Sequence, residues 1–203
     1  MEETASVRQY WNEHPLLSHE LEDVGSAEFF DALDRIKRED SDAYALPYWG
    51  FENSCDQTVL DIGCGPGWVS VQYALAGAIV DSVDLTPRAI EITNFHCQYR
   101  RTSVTAQVGN AESLPFEDER FDLVVASGVL HHTPDTQSAF AEAFRVAKPG
   151  GQGRITLYRK GALHSRLLFP ATKLFMRLSA VRHPGGSLTR GCDDVDEFIR
   201  SYD

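Results

Sequence analysis

The chain has no run approaching 18 apolar residues, so the sequence offers no membrane-spanning helix. No C-x-x-C pair occurs among its four cysteines, Cys55, Cys64, Cys97 and Cys192, so no spacing suggests a zinc or redox-disulfide site; reduced thiols are expected. It has no internal repeat and no low-complexity tract, which excludes solenoids and arrays. It is poor in bases: 19 Lys and Arg against 30 Asp and Glu give a net charge of −11, so there is no basic footprint for nucleic acid. Met1-Glu2-Glu3 opens the chain without an apolar stretch behind it; no signal peptide is read, and a cytoplasmic protein is expected. What remains is an ordinary globular composition, 42% apolar and 24% charged over 203 residues, long enough for one core without staples. The charge is uneven. Residues 1–58 hold 14 acids and four bases, whereas residues 143–192 hold ten bases and no acid.

Hydrophobic periodicity separates three zones, predicted as a helical cap over 1–57, a ligand-binding core over 58–160 and a helical covering segment over 161–203. In the first zone Ser26 precedes Phe29, Phe30, Leu33 and Ile36 at helical spacing, a capped helix, and Tyr10, Trp11 and His14 cluster beside Pro15. The second alternates short apolar runs with amphipathic stretches. Strands are predicted at 58–62, 78–84, 104–108, 121–126 and 153–158, and helices over 69–78, from Pro87 with Thr86 as cap, and over 136–147, the last ended by Lys148-Pro149-Gly150-Gly151. Such alternation means βαβ units: an α/β, doubly wound, mostly parallel sheet with helices on both faces, which binds ligands at the carboxyl ends of its strands.

The strongest signal is Val59-Leu60-Asp61-Ile62-Gly63-Cys64-Gly65-Pro66-Gly67-Trp68. Three glycines follow a strand and open a helix, so bare backbone can turn tightly and approach a ligand. A dinucleotide site wants G-x-G-x-x-G, and here an indole, Trp68, stands at the third glycine's place, which opposes NAD. The spacing G-x-G-x-G resembles motif I of the class I S-adenosylmethionine-dependent methyltransferases, of the methyltransferase type 11-like kind. The likeness extends through Asp84, 21 residues after Gly63; through Gly109-Asn110-Ala111-Glu112-Ser113-Leu114-Pro115-Phe116; through Phe121 to His132; and through Phe144 to Gly151, in family order.

The resemblance implies the Rossmann-like methyltransferase fold and S-adenosyl-L-methionine as cofactor. It implies that Gly63, Cys64, Gly65 and Gly67 form the loop under the methionine moiety and ribose. Asp84 holds the ribose and Leu85 packs on the adenine. Asn110, Ala111 and Glu112 border the base; Asn110 stands where the family often has Asp, and its amide oxygen can accept from the adenine amino group. Ser127 offers its carbonyl to the methionine ammonium. Asp61 reaches that ammonium or, alternatively, pins the loop. Tyr10 and Trp11, with His14, form an N-terminal lid over the cofactor or else pack rings onto the core.

Methyl transfer is an in-line displacement and needs neither metal nor triad, only alignment, dryness and sometimes a base. His131 and His132, at the mouth of the fourth strand, are the candidate catalytic residues; one as general base, or merely as orienters of the loop. No metal site is expected. The acceptor is expected to be a small molecule, with no nucleic acid partner and no stable membrane insertion. The alternative function is a catalytically inactive S-adenosylmethionine-binding module with a regulatory or interaction role. The basic stretch 164–182 reads as a covering helix, or as a surface-lying amphipathic one. The resemblance also implies two further strands that the sequence after Tyr158 does not supply; missing C-terminal strands, a truncated form and a possible homodimer across the free edge are the resulting expectations.

Overall fold

A computed structural model describes residues 2–16, 21, 23–39 and 43–157. The basic stretch over 164–182, the acidic helix over 193–201, Cys192, Tyr158 and any closing strands lie outside the described residues. Residues 1–157 form one compact unit.

Five strands, β1 (Thr58–Ile62), β2 (Ile79–Asp84), β3 (Thr105–Val108), β4 (Phe121–Ser127) and β5 (Ala147–Thr156), form one sheet in the order β3-β2-β1-β4-β5, every pair parallel. The chain winds outward from β1 to β3, then returns to place β4 on the other side of β1. The switch point therefore lies between the carboxyl ends of β1 and β4.

The near-continuous apolar runs of β1 and β4 follow from burial on both faces. On one face Val59, Val80, Leu123 and Val125 pack with α2 (Ala27–Glu39), α4 (Trp68–Leu75) and Ile92 of α5 (Pro87–Arg100). On the other, Leu60, Ile62, Val83, Val124 and Ala126 pack with Leu114, Phe116 and the inner side of α6 (Thr136–Val146). Two further helices precede the sheet, α1 (Glu2–Glu13) and the short α3 (Leu46–Trp49).

Local chemistry explains the boundaries. Ser26 Oγ accepts from the Phe29 amide at 3.0 Å and caps α2. Thr86 Oγ1 accepts from the Ala89 amide, and Pro87 occupies the first turn of α5, where its missing N–H costs nothing. The turn predicted at Lys148–Gly151 is instead part of β5, which pairs Phe121 with Ala147 and then Leu123 with Gln152; the extra residues loop out, Gly150 at φ +80, as a register shift within the strand.

The indole of Trp68 is buried in the core on the α2–α4 face of the sheet. Its Nε1–H donates to Asp34 Oδ1 of α2 at 3.0 Å, and its ring meets Phe51 edge-on. Asp34 also accepts from Arg38, whose guanidinium donates to Gln72 of α4. The tryptophan is thus the anchor by which the N-terminal segment docks on the first helix of the core.

Candidate active site

The carboxyl ends of β1, β2 and β4 meet at the switch point, and the glycine loop runs between them. The Gly63 and Cys64 amides both donate to the Val83 carbonyl, at 2.7 and 3.1 Å, which draws the loop over the end of β2. Gly63, Gly65 and Gly67 all have positive φ (+71, +51 and +76). Their reasons differ. A Cβ on Gly63 would lie 2.4 Å from Val129 Cγ2, so the exit loop of β4 occupies its side-chain space; a Cβ on Gly67 would lie 2.8 Å from Thr93 Oγ1. At Gly65 nothing lies within 4 Å. Gly65 alone of the three faces open space, and the loop is a cradle at that point.

The loop is held from below by α5. Thr93 Oγ1–H donates to the Gly65 carbonyl at 2.9 Å, and His96 Nδ1–H donates to the Pro66 carbonyl at 2.9 Å. The His96 ring stacks on Phe30 of α2 at 4.3 Å. Burial pushes its pKa down to about 4, which keeps it neutral, and its Nε2 has no partner among the described residues. Cys64 points the same way: its thiol lies 3.5 Å from Thr93 Oγ1, and burial, then the nearby Asp84 and Asp61, push its pKa well up.

Asp84 faces the cradle. Its Oδ2 accepts from the Gly65 amide at 3.0 Å, and its Oδ1 accepts from the Thr86 amide and hydroxyl at 2.9 and 3.0 Å. Burial raises its pKa against these bonds. Asp61 lies behind the loop. It is 1% exposed, its Oδ2 accepts from Ser70 Oγ of α4 at 2.5 Å, and Ser70 meets Ser82 Oγ at 2.8 Å. Burial pushes it up to about 6, the Ser70 bond opposes this, and Asp84 adds to it. The geometry of Asp61 is that of a residue pinning the loop to α4.

The Gly109 amide donates to the Asp84 carbonyl at 2.8 Å and brings the segment after β3 beside the cradle. There the Asn110 side-chain oxygen accepts from the Glu112 amide at 3.0 Å, closing a local turn, so one of its lone pairs is already spent. Ala111 is buried, and Leu85 is half-buried at the end of β2. Glu112 does not face the cradle as a free acid: its Oε1 accepts from the Asp135 amide at the start of α6, at 2.7 Å. Ser127 ends β4, and Gly128 next to it is fixed by Thr156 of β5 through two hydrogen bonds.

His131 and His132 sit in the helical turn Leu130–His132 directly after Val129, with ring centroids 4.0 Å apart. Trp11 of α1 meets His132 edge-on at 5.7 Å; Tyr10 meets Trp11 at 5.1 Å and stacks on His14 at 4.9 Å. The two separate candidate sets of the sequence are therefore one ring cluster beside the carboxyl end of β4. Sequence reasoning missed Ser70, Thr93, His96, Glu142 and Arg145, which shape the site from neighbouring helices; the first four belong to no local pattern, and Arg145 stands in the Phe144–Gly151 segment, where no role was read for it. Among the described residues no group of three or more His, Cys, Asp or Glu side chains could hold a metal ion, and no helix is long and apolar enough to cross a membrane.

An open glycine cradle at the switch point of a doubly wound sheet, with a carboxylate beside it, defines a nucleoside-binding α/β protein of Rossmann-like fold. Residues 60–155 match the family model described as a methyltransferase domain. The chain is 32% identical over 185 residues to malonyl-[acyl-carrier protein] O-methyltransferase of Erwinia billingiae, covering 83% of this chain and 70% of that protein. It is 34% identical over 94 residues to a ubiquinone biosynthesis O-methyltransferase of Coxiella burnetii, covering 46% and 40% of the two chains. The crystal structure of YcgJ from a Bacillus species is similar at a TM-score of 0.56 and 26% identity, over 71% of this chain and 61% of that one. This chain belongs to the class I S-adenosylmethionine-dependent methyltransferases, and S-adenosyl-L-methionine is the family's cofactor.

Proposed function

We propose that this protein moves a methyl group from S-adenosylmethionine to an oxygen of a small-molecule acceptor. The observation that carries the reading is the open side of Gly65, with Asp84 at the end of β2 bonded to its amide: a place where backbone lies bare and a carboxylate is ready to accept. The two matched relatives with a named activity are O-methyltransferases, which favours oxygen and does not favour an inactive binding module.

The residues fit the cofactor. Gly63, Cys64, Gly65 and Gly67 supply the backbone on which it rests. Asp84 accepts from ribose hydroxyls, the Leu85 side chain covers one face of the base, and the Asn110–Ala111–Glu112 segment meets its edge with the Ala111 N–H. The Ser127 carbonyl accepts from the ammonium group, while Asp61 adds negative charge from behind the loop. When bound, S-adenosylmethionine supplies a methyl group on a sulfonium and leaves as a neutral thioether. Trp11 and Tyr10 keep water from the mouth of the site. His132, with His131 against it, takes the proton of an acceptor hydroxyl as the new oxygen–carbon bond forms; a carboxylate acceptor brings no proton and needs only orientation. The N-terminal segment over 1–57 is the lid of this arrangement.

The test has two arms. Calorimetry with S-adenosylmethionine and with NAD reads the cofactor, and NAD binding alone overturns the reading. Labelled-methyl transfer into a metabolite extract reads the reaction. His132→Ala lowers turnover while cofactor affinity stays within about twofold, as expected of a residue that touches only the acceptor.

A further inference from the structure

We propose that Arg145 is a positioning residue that sets the base-side wall of the cofactor site and, through it, selectivity for the edge of the purine. The inference rests on the preceding reading that the Asn110–Ala111–Glu112 segment borders the base. It concerns a residue in the last turn of α6 that need not touch the ligand.

A guanidinium has five N–H donors in a rigid planar fork. All five are used here. Nε donates to Glu142 Oε1 at 2.7 Å, and one Nη2 hydrogen to Glu142 Oε2 at 2.7 Å. Nη1 donates to the Phe116 carbonyl at 2.8 Å and to Asp118 Oδ1 at 2.7 Å. The second Nη2 hydrogen goes to the Leu114 carbonyl at 3.2 Å. Glu142 completes the clamp, because its Oε2 accepts from the Leu114 amide at 2.7 Å. Both backbone polar groups of Leu114 are thus satisfied by side chains of α6, one residue pair working as a unit.

The segment so held is not part of any strand and makes few bonds of its own. Between Val108 and Phe121 it has the local turn at Asn110, closed by the Glu112 and Ser113 amides, and a buried apolar underside of Ala111, Leu114 and Phe116. Apolar contact fixes depth but not register, since it has no direction. The directional bonds come from the two ends of α6: the Asp135 amide on Glu112 at its start, and at its end the Arg145–Glu142 clamp on Leu114 and Phe116 together with the Arg145 and Val146 carbonyls, which accept from the Glu119 and Arg120 amides at 2.9 Å nearer Phe121. On the other side the Gly109 amide is tied to the Asp84 carbonyl. Asn110 and Ala111 therefore hang between the ribose-side acid and a clamp some 30 residues further along the chain, and the height of their polar atoms is set by both.

Exposed ion pairs contribute little stability, so stability alone is a weak reason for this clamp: Asp118 is 73% exposed, and Arg145 and Glu142 are partly so, at 29% and 20%. What a saturated planar fork supplies is geometry, which a lysine, with one point of charge, cannot reproduce.

The experiment compares S-adenosylhomocysteine with its 6-oxo analogue, S-inosylhomocysteine, by calorimetry on the full chain, with melting temperature measured alongside. The wild type is expected to prefer the adenosyl ligand. In Arg145→Leu the adenosyl ligand should bind about five- to tenfold more weakly while the inosyl ligand changes little, so the preference collapses. Arg145→Lys should recover less than half of it. Glu142→Gln keeps the fold if Arg145→Leu does not, and should show the same collapse in milder form. Asp84→Asn, on the ribose side, should weaken both ligands equally and leave the ratio alone. An unchanged ratio in folded Arg145→Leu or Glu142→Gln, a full rescue by lysine, or equal wild-type affinity for both ligands overturns the proposal. Absence of any S-adenosylhomocysteine binding by the wild type instead overturns the cofactor reading beneath it.

Discussion

Substituting alanine at Gly63 and at Gly65 separates the folding role of the glycine loop from its binding role. Both positions have positive φ, +71 and +51, where an L-residue costs about 1–2 kcal/mol relative to glycine. Alanine regains about 0.4–1 kcal/mol through the unfolded chain, so Gly65→Ala should cost only about 1 kcal/mol. For a chain of this length that is a drop of about 2–4 °C in melting temperature. Gly63→Ala pays the same backbone cost and then collides: its Cβ would stand 2.4 and 2.5 Å from the Val129 methyls and 2.9 Å from Val129 Cβ. Carbon pairs prefer about 3.5–4.0 Å, and forced overpacking adds about 1–3 kcal/mol. Gly63→Ala should therefore melt well below Gly65→Ala. Val129→Ala removes the two nearest atoms and should recover part of the loss, a coupling of about 1 kcal/mol in a double-mutant cycle. Binding should run in the opposite order of surprise. Gly65→Ala, nearly wild type in stability, should lose S-adenosylhomocysteine affinity by more than about tenfold, because its new methyl enters the open space beside Gly65 in which the ligand is proposed to lie. Calorimetry and thermal melts on Gly65→Ala, Gly63→Ala, Val129→Ala and the Gly63→Ala/Val129→Ala double variant decide it. Wild-type affinity in Gly65→Ala would refute the placement of the ligand on that face.

Three other outcomes follow from named contacts. Asp84→Asn exchanges one acceptor oxygen for a donor facing the Gly65 or Thr86 N–H groups, and should cut cofactor affinity about ten- to a hundredfold by calorimetry. Asp61 is raised from 3.8 to about 6 by burial, so the folded state holds its proton longer than the unfolded chain, and stability falls as pH rises through that window. Asp61→Asn, whose oxygen can still accept from Ser70, should therefore be more stable than wild type at pH 7.5, by up to ~3 kcal/mol, with the gain vanishing near pH 4; parallel melting profiles across that range would contradict this. Trp11→Ala removes the ring that meets His132 and should weaken S-adenosylhomocysteine binding about three- to tenfold with little change in the ligand-free melting temperature; unaltered affinity would leave Trp11 outside the lid.

The sheet was legible because its central strands are buried on both faces and so read as uninterrupted apolar runs, and because Thr86-Pro87 and Ser26 carry their helix starts in their own chemistry. The extent of β5 was not, since the looped-out residues at Lys148–Gly151 are set by pairing with Phe121 and Leu123, a partner the local sequence does not contain. The loop spacing pointed to the site, yet it could not say why each glycine is there. Gly63 is required by Val129, 66 positions away, and Gly67 by Thr93 on the next helix, so only Gly65 speaks of a ligand. His96 and Arg145 escaped for the same reason: each acts across the fold on a backbone group with no sequence mark, while Ser70 acts on the Asp61 and Ser82 side chains of two other elements. Tyr10, Trp11, His131 and His132 were noticed as two sets, and only tertiary structure brings them together.

Electrostatics explains why this loop suits a cation better than a pyrophosphate. In a dinucleotide site the anion rests on the helix N-terminus, where backbone N–H groups and the dipole favour negative charge. Here the helix after the loop has two carboxylates at its back and side. Burial raises the proton affinity of both, and Asp84 raises that of Asp61 further. The same two acids push up the Cys64 thiol within the loop. A phosphate placed there would add a third negative charge to a poorly hydrated spot. On the proposed placement of the cofactor, a sulfonium and an ammonium group would instead relieve the repulsion that the carboxylates already bear, and the cost of burying Asp61 and Asp84 in the free protein would become affinity for a positively charged ligand. Trp68, whose side chain is committed to Asp34, says only that a third glycine is not needed for helix packing; a dinucleotide site also carries an acid where Asp84 stands, so it is the buried Asp61 behind the loop that sets this site apart.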